Sequence, residues 1–101
     1  KPSAPQGPIE FTDIKADSTI LTWKPPSSDG GAPIKSYVIE RRDARKTTWT
    51  KIASTDSKTL SCTAQKLIED TPYIFRVFAV NDEGQSEPLE ADKELIPKTP
   101  A

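Results

Sequence analysis

Apolar residues recur at every second position through most of the structured-looking runs of this chain, and no segment sustains a helical period. In Thr19-Ile20-Leu21-Thr22-Trp23 the alternation sets Thr19, Leu21 and Trp23 on one face and Ile20 on the other. Ser36 to Arg42 repeats the pattern with Tyr37 and Ile39 inward and Val38, Glu40 and Arg42 outward. The longest alternation runs from Tyr73 to Val80, with Tyr73, Phe75, Val77 and Ala79 inward and Ile74, Arg76, Phe78 and Val80 outward. Shorter runs cover Ile9 to Phe11 with Ile14, Trp49 to Ala53, and Leu60, Cys62 and Ala64; a last one spans Leu89 to Ile96. Asp, Ser, Gly and Pro separate them. Seven strands with frequent turns predict an all-β, seven-stranded antiparallel sandwich of immunoglobulin-like architecture.

Between the second and third strands lies Lys24-Pro25-Pro26-Ser27-Ser28-Asp29-Gly30-Gly31-Ala32-Pro33-Ile34. A phosphate-binding loop would feed a helix whose first amides face the anion. Here the glycines lead into a strand, with neither GxxxxGK[ST] nor GxGxxG spacing. The segment therefore reads as a stiff connection between sheets. Prolines hold it extended, Ser28-Asp29 starts an Asx-type turn, and Gly30-Gly31 takes positive φ cheaply.

The length of 101 residues suits one domain, assigned to residues 1–101, with proline-rich, linker-like ends at about 1–8 and 97–101. Those ends resemble cuts through a longer chain of domains. Fourteen Lys+Arg against fifteen Asp+Glu leave a net charge of -1, so no bulk field favours nucleic acid. No apolar run is long enough to span a membrane, and no signal peptide opens the chain. One cysteine, Cys62, permits no internal disulfide and points to a reducing compartment. The expectation is a soluble, cytoplasmic, monomeric module without nucleic-acid or membrane partners.

Histidine is absent, which removes imidazole acid–base chemistry, Ser–His and Cys–His nucleophiles and His-containing zinc sites. The carboxylate pairs Glu69-Asp70 and Asp82-Glu83 fall at turns, where solvation keeps them ordinary. No catalytic residue, metal ligand or cofactor site is assigned.

Trp23-Lys24-Pro25-Pro26, Asp29-Gly30-Gly31-Ala32-Pro33-Ile34, Tyr37, Glu40 and Arg42 resemble a fibronectin type III domain of the titin and twitchin family of giant muscle proteins. The likeness continues through Leu67-Ile68-Glu69-Asp70, Tyr73-Ile74-Phe75-Arg76-Val77, Ala79, Asn81, Gly84, Ser86 and Pro88. It implies a scaffold repeat of the sarcomeric A-band, set among immunoglobulin and fibronectin type III neighbours along the thick filament. Myosin and its associated proteins are the implied partners, and parent chains of this kind often carry a serine/threonine kinase domain. An extracellular adhesion or receptor module is the alternative. Its Arg-Gly-Asp signal is missing from Asn81-Asp82-Glu83-Gly84-Gln85-Ser86. Asp70 departs from the family's usual glycine, so a left-handed conformation is expected there. Cys62 stands where a larger aromatic is common.

The predicted structural core is Trp23, Tyr37, Leu67, Tyr73, Phe75 and Val77, with Tyr73 forming a tyrosine corner near Leu67. Cys62 reads as an inert inward thiol and Trp49 as an amphipathic residue packed over a sheet edge. The basic stretch Arg41-Arg42-Asp43-Ala44-Arg45-Lys46 reads as a solvated hairpin loop, while Arg45-Lys46 before Thr47-Thr48 also suits a basophilic kinase. On the outward face, Val38, Glu40, Arg42, Ile74, Arg76 and Phe78 form a candidate partner surface of apolar residues rimmed by charge.

Overall fold

The computed structural model describes residues 2–100. Eight strand segments occur among them: β1 (Gln6–Thr12), β2 (Thr19–Lys24), β3 (Ser36–Asp43), β4 (Thr50–Asp56), β5 (Ser61–Ala64), β6 (Tyr73–Asn81), β7 (Gly84–Gln85) and β8 (Leu89–Glu90). All pair antiparallel. One sheet has the order β1-β2-β5; the other runs β4-β3-β6-β7, with β8 also on β6. The two sheets make a sandwich.

The period-2 alternation decides which side chains meet between the sheets. Thr19, Leu21 and Trp23 from β2 are buried, as are Tyr37 and Ile39 from β3 and Tyr73, Phe75, Val77 and Ala79 from β6. Leu67 and Leu95 join this core, with Leu95 paired to Tyr73, and Ile9 enters it from β1. The Trp23 and Tyr37 rings meet edge to face at 5.7 Å, and Phe11 tilts against Phe75 at 5.5 Å. Aromatic pairs at these separations add to the area they bury.

The last strand differs from the single run predicted for Leu89 to Ile96. It is divided into β7, β8 and an isolated bridge between Tyr73 and Leu95. Pro88 has no N–H for a ladder, and the buried Ser86 interrupts the pairing chemically. Its Oγ accepts from the Ala79 amide at 2.9 Å, while its own amide donates to the Ala79 carbonyl at 2.8 Å. A side chain thus takes over one rung of the ladder.

Near both ends of the described span, residues within the stretches 1–8 and 97–101, read above as linker-like, contact the sandwich. Residues 6–8 belong to β1. Pro2 and Pro5 are buried, and the Ser3 amide donates to the Ser28 carbonyl at 3.0 Å. At the other end Pro97 is fully buried and its carbonyl accepts from the Asp70 amide at 2.9 Å. A Cβ on Gly7 would lie 2.8 Å from the Leu89 side chain, so glycine lets β1 approach the opposite sheet closely.

Ser28 sits beside the far end of β6, near Asn81, whereas Asp70 sits beside its first residue, Tyr73. The chain therefore enters and leaves at opposite poles of a body measuring 45 × 26 × 20 Å.

Candidate functional site

The two poles are built by side chains that satisfy loop backbone. In the segment from β2 to β3, the Gly31 amide donates to Asp29 Oδ1 at 2.9 Å and the Gly30 amide to Ser28 Oγ at 3.2 Å. Gly30 and Gly31 hold φ of 71° and 97°, a region that glycine adopts without a Cβ penalty. The buried Asn81 locks this turn from β6. Its Nδ2 donates to the carbonyls of Asp29 (2.7 Å) and Ala32 (3.1 Å), and its Oδ1 accepts from the Glu83 amide at 2.9 Å. One amide side chain therefore joins the two loops of this pole.

At the opposite pole the Tyr73 hydroxyl accepts a hydrogen bond from the Ile68 amide at 3.0 Å. Its ring is buried against Phe75. This is a tyrosine corner. Asp70 holds a left-handed φ of 65°, and Lys66 one of 59°. Asp tolerates that conformation better than most residues because its short carboxylate can bond locally.

The outer face of β3 and β6 carries the residues singled out as a partner surface. Glu40 pairs with Arg76 across the strands, Val38 with Phe78 and Arg42 with Ile74. Glu40 Oε1 accepts from Arg76 Nε at 2.7 Å and pairs with its terminal nitrogen at 2.6 Å. The Arg76 guanidinium lies 3.9 Å from the centre of the Trp49 ring and 4.9 Å from that of Phe78. Arg42 also lies over the Trp49 ring, at 5.2 Å, and donates to the Lys46 carbonyl at 2.7 Å. Trp49 precedes β4 instead of lying within a strand, so it folds back from the hairpin over this face.

Arg42 and Arg76 thus cluster with the Trp49 ring, and Arg76 also covers Phe78. Cation–π attraction and the Glu40 carboxylate on Arg76 fix the cluster. Phe78 points outward, but it is only 6% exposed because the Arg76 side chain lies over it. The open apolar contact expected at Phe78 is therefore absent. The face that remains is a half-buried polar platform, with Val38 and Ile74 also half-buried.

Chemically this platform presents guanidinium and aromatic surface. Arg76 and Glu40 neutralise each other, and among the described residues no group of three or more His, Cys, Asp or Glu could hold a metal. In the adjacent hairpin, Asp43 accepts bonds from the Arg45 side chain and amide, which lower its pKa to about 2. Cys62, half-buried against the core, has its thiol pKa raised to about 11 by desolvation. It is a poor nucleophile at neutral pH.

The roles of Asn81 and Ser86 escape a reading based on apolar periodicity. Polar residues buried to serve backbone lack a period, although Asn81 and Ser86 both lie among the residues that carry the family resemblance.

The family model for the fibronectin type III domain matches residues 3–92. Titin of Drosophila melanogaster is 43% identical over 97% of this chain, which spans a share of that protein rounding to 0%. Cardiac-type myosin-binding protein C of Rattus norvegicus is 35% identical over 98% of the chain, which spans 8% of it. The twitchin kinase region from C. elegans superimposes with a TM-score of 0.88 at 32% identity, covering 97% of this chain and 17% of the other. The chain thus spans less than a tenth of these curated relatives. With two antiparallel sheets, a tyrosine corner and a family match over nearly its whole length, this chain belongs to the fibronectin type III family.

Proposed function

We propose that this domain is a structural repeat of a giant sarcomeric muscle protein, one link of a tandem array that organises and binds the thick filament. The observation that carries the proposal is the anchoring of the chain at opposite poles, by Ser3 on Ser28 and by Asp70 on Pro97. A module held this way passes orientation and tension lengthwise to its neighbours. Similarity to titin, twitchin and myosin-binding protein C supports immunoglobulin and fibronectin type III neighbours and a sarcomeric, cytoplasmic location. The domain acts without catalysis, and myosin or a myosin-associated protein is the proposed filament partner.

The partner surface is the Arg–aromatic platform, with Glu40, Arg42 and Arg76 as its polar contacts and Val38, Ile74 and Phe78 as its support. One domain binds weakly, and repeated domains gain through effective concentration. The test compares the single domain with a tandem protein containing its native neighbours, by small-angle scattering and co-sedimentation with myosin filaments. The tandem should be extended and should bind appreciably better, and Arg42→Glu should weaken that binding while leaving the fold intact. A compact tandem that sediments no better than the single domain would remove the proposal.

A further inference from the structure

One lateral edge of the sandwich carries a second feature, distinct from the Arg–aromatic platform. Among the described residues β4 pairs only with β3, and β5 only with β2, so each presents an unpaired backbone edge here. Between these edges opens a cavity of about 360 Å³. Arg41, Lys51 and Lys66 line it together with Thr50, Thr63 and Gln65, and no carboxylate is among the described lining residues.

Arg41 is the unusual member. It follows the inward phase of Tyr37 and Ile39, so a guanidinium stands where the core would place an apolar side chain. Its carbon centre lies 5.0 Å from the middle of the Tyr73 ring. Its Nε is buried without a hydrogen-bond partner, and among the described residues no carboxylate lies within ion-pair distance of it. A half-buried arginine without an anion bears a desolvation cost that an incoming oxyanion would offset.

Charge is also segregated along the chain. Residues 41–66 hold seven Lys and Arg against two carboxylates, whereas residues 82–94 hold six carboxylates against one lysine. The acidic stretch runs through β7 and β8, on the far side of β6 from β3 and β4, so it lies away from the cavity.

We infer that the cleft between β4 and β5 is a docking site for an extended, carboxylate-rich segment of another polypeptide. The cations and hydroxyls receive its side chains, and the unpaired edges offer backbone N–H and C=O groups to its main chain. The backbone edges favour a polypeptide over a small free anion.

The test is a ¹H–¹⁵N NMR titration of the whole chain with a hexaglutamate peptide, following the Arg41 Nε–H resonance and the amides of β4 and β5. Hexaglutamine and inorganic phosphate serve as the other probes. Hexaglutamate should shift Arg41 and both strands saturably, and hexaglutamine should not. Lys51→Gln and Lys66→Gln, both at exposed positions, should each weaken the peptide by roughly twofold to fivefold, the range of exposed ion pairs. Their native spectra confirm folding independently. Shifts with phosphate but not with the peptide would overturn the inference in favour of a small-anion pocket. Shifts confined to Arg45 and Lys46, or none at Arg41, would overturn it outright.

Discussion

The Tyr73 hydroxyl and the Ile68 amide serve each other 3.0 Å apart, and removing one leaves the other unpaired. Tyr73→Phe should therefore cost about 1 kcal/mol in denaturant titration, the range for one lost hydrogen bond. Trp23→Ala acts through volume instead and should cost about 3–5 kcal/mol. Cys62 makes a prediction in pH. Its pKa is raised from an ordinary 9.0 to about 11, so the folded chain keeps a proton that the unfolded chain releases. Its contribution to stability is full below pH 9 and falls as pH rises toward 11, and Cys62→Ala should reduce the loss seen in melts across that window, leaving the part due to buried Tyr37, whose pKa is also raised. A thiol reagent at neutral pH should label Cys62 slowly until the protein unfolds. The inward positions of Trp23, Tyr37 and Phe75 are legible in the sequence because period 2 determines which side of a strand a residue occupies. That same rule says nothing about what lies above the side, and so the cover of Arg76 over Phe78 is not legible.

Among the elements, β2, β3 and β6 can be read from alternation alone, since one face of each is committed to the core. The final strand cannot. Its pairing depends on Ser86 replacing a rung and on Pro88 lacking an amide hydrogen, features of hydrogen bonding that leave no apolar pattern. The partner surface is legible as a set of residues but not as a cluster, because Trp49 reaches it from outside β4. Ser86→Ala would strand the buried Ala79 amide, and a loss of about 1–3 kcal/mol is expected, with faster amide exchange along β7 and the end of β6. Asn81→Ala should act on loops rather than strands. Hydrogen exchange should quicken at Gly31 and Glu83 together, since one side chain joins those two turns.

At the scale of the molecule, the ends contribute to the body they connect. Removing residues 97–101 should lower stability measurably in denaturant titration, because Pro97 is buried and its carbonyl serves the Asp70 amide. A chain whose ends only linked neighbours would lose nothing by that truncation. The divided last strand has a further consequence in the tandem array proposed for this domain. Adjacent repeats of one fold are held at high local concentration, and exposed strands of similar sequence are prone to exchange partners and misassemble. A long, regular outer strand would template that exchange. Here the outer boundary of β6 is broken into two-residue segments, β7 and β8, with Pro88 between them and Glu87 and Glu90 beside it. No run of free edge there is long enough to recruit a neighbour's strand. The irregularity that hides this element from its sequence pattern thus blunts this edge of the sandwich against strand exchange.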